Sequence, residues 1–191
     1  MLPLPEPDNA TSPPPAPTPV ASPLGIAESI AELLTIPGHL CKQRGICCKV
    51  ATFKGSLSLQ ALKTLAAQPG PAGEMARDFL SVFIPYPDNT EPVALAPVFV
   101  ERVYDSVRAK GGDPQQVGFF HCKYLLDDGR CGVHEDRPIG CRKYPLPLPQ
   151  TIYHPGCGYE QRGVDNLKQI DALLAPLGTT LNDVLMDISD G

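Results

Sequence analysis

Apolar residues recur at helical spacing along much of this chain. Ile26, Ile30, Leu33 and Leu34 share one helical face, and Pro37-Gly38 ends that pattern. Ser58 is placed to cap a helix whose Leu59, Leu62 and Leu65 face inward, and Pro69-Gly70-Pro71 breaks it. Met75, Phe79, Val82 and Phe83 mark the next amphipathic helix, closed by Pro85-Tyr86-Pro87. A helix over 97–109 turns Phe99, Val100, Val103 and Val107 inward before Gly111-Gly112. Val164, Leu167, Ile170, Leu173 and Leu174 form another stripe, and Thr180 with Asp183 is a capping pair for a last helix.

The helical period fails in three places. Residues 1–23 hold prolines at 3, 5, 7, 13, 14, 15, 17, 19 and 23, which predicts an extended, disordered tail before a single domain over 24–191. Residues 118–134 read as a β-hairpin: Val117, Phe119 and Phe120 start one arm, Asp128-Gly129 is the turn, and Cys131 and Val133 lie on the return. Residues 136–160 carry Pro138, Pro145, Pro147, Pro149 and Pro155 and are expected to be irregular. The fold class is therefore mainly α, with a small β-hairpin and irregular cysteine-rich loops.

Composition narrows the function. The chain has 191 residues and a net charge of −5, so it offers no basic field for a nucleic-acid backbone. Its apolar runs are far shorter than the roughly 20 residues of a membrane span. The first Lys or Arg is Lys42, which leaves no basic leader for secretion or import. The expected compartment is the cytoplasm, where thiols stay reduced and clustered cysteines bind metal more often than they form bridges.

There are seven cysteines: Cys41, Cys47, Cys48, Cys122, Cys131, Cys141 and Cys157. All fall in segments expected to be loops or turns, and none in an expected helical stripe. Gly45, Gly132, Gly140, Gly156 and Gly158 lie within two residues of one of them. Glycine lets the backbone bend tightly and turn N–H groups toward sulfur. Segments 38–50 and 136–160 have too few apolar residues to order themselves, whereas a thiolate-bound ion supplies on the order of 10 kcal/mol of folding free energy. The expected ligand set is all seven thiols, and the expected cofactor is zinc or iron, the latter alone or as an iron–sulfur cluster.

Spacing limits how they are shared. Sulfurs around one zinc lie roughly 4 Å apart. In a straight hairpin turning at Asp128-Gly129, Cys131 faces Leu126, and Cys122 is roughly 13 Å further along. Either the hairpin curls or Cys122 and Cys131 serve different ions. Adjacent Cys47 and Cys48 raise the same question, since neighbours in extended chain point opposite ways. His121 and His134 are secondary ligand candidates, with His39 and His154 behind them. Arg137, Arg142 and Lys143 are candidates to offset thiolate charge, against a plain solvated turn. Asp127 and Asp128 suit a turn and need no catalytic role.

The runs "CKQRGICCKV" and "CKYLLDDGRCGVHEDRPIGCRKYP" resemble the YkgJ-like cysteine-cluster proteins, which carry a zinc- or iron-chelating domain of CxxCxxCC type. The resemblance implies that Cys41, Cys47, Cys48, Cys122, Cys131 and Cys141 are cluster cysteines, with Cys157 as a later member. Arg44 stands where that pattern has its second cysteine. Flagellin lysine N-methylases are similar over the same pattern, so an enzyme of that kind, or an iron–sulfur redox protein, is the alternative. No glycine-rich nucleotide loop or acid–base pair stands out in the sequence. The leading expectation is a non-enzymatic metal-binding protein with a structural or accessory role, whose partners are the metal ion and a client protein.

Overall fold

The computed structural model describes residues 23–189, apart from 55, 143 and 146. The proline-rich stretch expected to be an extended tail lies, up to residue 22, outside the described residues. Helix α1 (Pro23–Leu33) packs against α8 (Glu160–Leu174), joining segments well over a hundred residues apart. Ile30, Leu33 and Leu34 close on Ile170, Leu174 and Leu181, the last being the first residue of α9 (Leu181–Ser189). Asn166, inside this contact, donates to Leu33 O at 2.7 Å. The capping pair ahead of α9 forms: Thr180 N donates to Asp183 Oδ2 at 2.9 Å, and Asp183 N to Thr180 Oγ1 at 3.2 Å.

The central body is built on two short strands, β1 (Phe83–Pro85) and β2 (Phe120–Cys122), which pair antiparallel with Phe83 opposite Cys122 and Ile84 opposite His121. Side chains alternate across β2 and the residue before it. Phe119 therefore enters one core, with Val50 and the inner face of α6 (Pro97–Ala109): Phe99, Val100, Val103 and Tyr104. Phe120 enters the other, with Phe53 and Leu62 of α3 (Leu59–Ala66) and Ala76 of α4 (Pro71–Val82). Phe79 packs edge-on against both Phe53 and Phe120, with centroids at 5.3 and 5.0 Å. Ser58 caps α3 as expected, accepting from Ala61 N at 3.2 Å. The expected helix over 97–109 has those bounds.

The mainly helical class with a small antiparallel sheet holds, but several details differ. Phe120–Cys122 pairs with residues 83–85 and not with the arm beyond Asp128-Gly129, because Phe83 and Ile84 continue extended past the end of α4. The Asp128-Gly129 turn does form. It is closed by a single bridge between Leu125 and Cys131 and by Leu126 N donating to Arg130 O at 2.9 Å. Met75 is 52% exposed, since α4 buries Gly73, Ala76 and Val82 in its place. Val164 is likewise exposed. Helices α2 (Ile46–Lys49), α5 (Thr90–Leu95) and α7 (Ile139–Arg142) were not expected, being too short to show a period.

Candidate metal centre

The cysteines are held by local structure more than the sequence suggested. Cys47 and Cys48 lie in α2, Cys122 ends β2, and Cys141 lies in α7. That corrects the expectation that all seven occupy loops or turns. Gly45 starts α2 from a left-handed conformation (φ 65°), and its O accepts from Cys48 N and Lys49 N, each at 2.9 Å. Its bare Cα is required for packing as well, because a Cβ there would collide with Gly129 O of the Asp128-Gly129 turn. One glycine thus seats the Cys47-Cys48 turn on the turn that precedes Cys131.

The segment after α2 is fastened to β2. Ala51 and Phe120 exchange both backbone bonds, at 2.8 and 2.9 Å. This sets Cys48 beside Cys122, with Cys47 next to it in α2. Interaction with Cys48 holds the Cys47 and Cys122 thiols below the usual thiol range, and the two neighbours push the Cys48 thiol far above it. Cys122 gains further help from Tyr124 N–H, which points at its sulfur from 3.4 Å. N–H bonds to sulfur and low-lying thiols are what a thiolate ligand needs.

Cys131 and Cys141 come from the chain beyond β2. Cys141 N and Arg142 N both donate to Pro138 O, at 2.9 and 3.0 Å, winding a single turn that leaves Cys141 half-buried. Burial raises its pKa, and so do the neighbouring Cys122, Cys131 and Cys47. Arg137 acts to lower it. It also lowers Cys47, and its Nε is fixed on His134 O at 3.0 Å. Of the basic residues singled out after the hairpin, Arg137 is therefore the one placed against the thiols. Arg142 is exposed, and Lys143 lies outside the described residues.

Cys157 lies on a segment packed against residues 40–44. Its N–H donates to His154 O at 3.0 Å, while His154 Nε2 bonds to Val50 O at 2.8 Å. His154 is 2% exposed and stacked on Phe99 at 3.7 Å, and burial lowers its pKa to about 4. It is therefore neutral and donates to Val50, two residues beyond Cys48. Tyr159 donates to Gly38 O at 3.2 Å with its hydroxyl beside the Cys41 thiol; burial first, then Cys41, pushes that hydroxyl up to about 12. Arg44 donates to Gly156 O, and so does Lys42 Nζ at 3.4 Å.

Four segments far apart in sequence thus bring the seven thiols into one neighbourhood. The sulfurs are not yet gathered as ligands: among the described residues, no group of three or more His, Cys, Asp or Glu side chains is arranged to hold an ion. The donor set has the chemistry of a thiophilic metal site, but the side chains are not placed as its ligands. His121 turns away from the thiols toward the Tyr86 ring, 5.1 Å distant, and His134 lines a shallow cavity with Cys131. The sequence reading missed Tyr159, whose signal is an aromatic two residues from a cysteine flanked by glycines.

No family model matches the chain, and neither does any curated protein or solved structure. Among the described residues no helix is long and apolar enough to cross a membrane.

Proposed function

We propose that this chain is a cysteine-cluster metal protein that binds zinc or iron, the latter alone or as an iron–sulfur cluster, through Cys41, Cys47, Cys48, Cys122, Cys131, Cys141 and Cys157. The carrying observation is that Cys47 and Cys48 of α2 are brought to Cys122 at the end of β2 across 73 intervening residues, fastened by the Ala51–Phe120 backbone pair, with the Cys47 and Cys122 thiols held below their usual range. Buried thiols pushed together without an ion repel one another once ionised; a cation between them removes that repulsion. The resemblance to YkgJ-like cysteine-cluster proteins favours the same reading. The role is structural or accessory, in a reducing cytoplasm, with a client protein as partner. An enzymatic role, related to that of flagellin lysine N-methylases, or an iron–sulfur redox role is the second reading.

The test is elemental analysis of protein purified without air, read beside its visible spectrum. Stoichiometric colourless zinc, or iron with sulfur-to-iron absorption bands, is the expected result. Protein that carries no metal, takes up none when titrated, and keeps its melting temperature in chelator ends the reading.

A further inference from the structure

We propose that Cys48 and Cys122 are a disulfide-forming pair, which oxidation by glutathione disulfide closes to tie α2 to β2. This goes beyond the metal-binding reading and stands without it. The backbone sets the pair. Ala51 and Phe120 exchange both hydrogen bonds, a pairing that brings Cα atoms to roughly 5.5 Å. Continued straight, that ladder would put Lys49 across from Cys122. Helix α2 winds the chain there instead: Val50 N donates to Ile46 O at 3.0 Å, and the Cys48 side chain comes against that of Cys122. Cys122 is itself fixed, paired with Phe83 of β1 and with its sulfur accepting from Tyr124 N at 3.4 Å.

The choice of partner is steric. Adjacent Cα atoms lie about 3.8 Å apart across a trans peptide, short of the roughly 4.4–6.8 Å that a disulfide spans. Cys47 and Cys48 therefore do not bridge each other. In α2 successive side chains point about 100° apart, and it is Cys48 that contacts Cys122. Access differs as well. Cys122 is 6% exposed and Cys48 is half-buried, so an oxidant the size of glutathione meets Cys48 first.

The Cys48 sulfur attacks glutathione disulfide: that S–S bond breaks, a Cys48–glutathione bond forms, and one glutathione leaves with the Cys48 proton. The Cys122 sulfur then attacks that of Cys48, forms the Cys48–Cys122 bond and releases the second glutathione with its own proton. The protein gives up two electrons and two protons, and one glutathione disulfide becomes two thiols. The new bond encloses residues 49–121, which hold α3, α4, β1, α5 and α6. Both apolar cores on β2 draw on that loop, and a cross-link closing a long loop restricts the unfolded chain more than the folded one. Oxidation therefore makes the apolar body harder to unfold. On the metal-binding reading it also takes two thiols from the ligand set.

The experiment is oxidation of the reduced full-length chain, freed of metal with chelator, by glutathione disulfide, followed by tryptic mapping without reductant. Cleavage after Arg44, Lys49, Lys110 and Lys123 isolates Cys47 and Cys48 on residues 45–49 and Cys122 on residues 111–123. The expected product has lost two hydrogens by intact mass, yields those two peptides joined, and has a higher urea midpoint than the reduced chain. Cys47→Ser should keep the link and Cys48→Ser should lose it. If a serine variant fails to fold, fragmentation of the wild-type linked peptides between Cys47 and Cys48 decides. A link that runs through Cys47, a glutathione adduct on Cys48 that goes no further, or bonds among other cysteines in place of this pair overturns the proposal. Metal content, read separately by elemental analysis, decides the metal-binding reading, so either can fail alone.

Discussion

The two sides of β2 show two different ways of holding a chain together. On the Phe120 side, α3 and α4 pack Leu62 and Ala76 with four aromatic rings, and each helix has a period, a start and a stop that serve it alone. Beyond Cys122, the described residues of 123–158 contain one four-residue helix, with bends, turns, unassigned backbone and a lone bridge around it. There the backbone is tied at points: Gly45 under Gly129, Gly158 under Leu40, His154 on Val50. Apolar burial of roughly 2–3 kcal/mol per large side chain stabilises the first region whatever the thiols do. The second region has few such side chains, and on the proposed reading an ion joining its sulfurs supplies what burial does not.

The sharpest way to break that contrast is to remove the metal. Chelation should cost the cysteine region most of its order, a loss on the order of 10 kcal/mol of binding-linked stability. Amide exchange in 38–49 and 123–158 should speed up by orders of magnitude, while exchange in 59–82 changes little. Equal protection before and after chelation would show that the point contacts alone suffice. The converse test is Phe120→Ala. Phe120 is fully buried between Phe79, Leu62 and Ala76, and its loss should cost about 3–5 kcal/mol in urea denaturation. It should do so equally with and without bound metal. A much smaller cost in metal-free protein would mean that the two regions fold as one.

A third test sits on the seam. His154 has its folded pKa lowered from 6.5 to about 4 by burial. The unfolded chain therefore takes up the proton first. The stability that neutral His154 carries is full above pH 6.5 and is lost as pH falls toward 4, on the order of 3 kcal/mol in all. Urea midpoints measured from about pH 7 down to about pH 4.5 should fall accordingly. His154→Gln should start less stable and lose most of this slope over that interval. A slope unchanged by the substitution would assign the acid sensitivity to another group.

How much of this was legible follows from length. The helices over 58–66 and 97–109 were readable because two or more turns repeat the period, and because Ser58 and the flanking prolines mark their ends. The turn at Asp128-Gly129 was readable from two residues. Its partner strand was not, because Phe83–Pro85 is three residues long and was hidden at the end of a helical stripe. In the candidate centre, the cysteines themselves were visible. What orients them was not. The left-handed Gly45 under Gly129, the His154–Val50 bond and the segment pairing around Cys41 and Cys157 join residues far apart in the chain, and such contacts leave no periodic trace.

The smallest effect is the cleanest control. Ser58 accepts one hydrogen bond, from Ala61 N at 3.2 Å, and that bond lies wholly within the first turn of α3. Ser58→Ala removes the capping bond and leaves one of the first N–H groups of the helix to water, which costs about 1 kcal/mol. Because α3 packs on α4 and on Phe120, that loss should pass in full into the urea midpoint of the apolar region. It should leave metal affinity untouched. A double comparison, the parent chain and the Ser58→Ala variant each with and without metal, then measures coupling between the regions directly: the two differences agree if the sides of β2 are independent. A difference more than about 0.5 kcal/mol larger in one state than in the other would show that order in the thiol region is transmitted through β2 to the helices behind it.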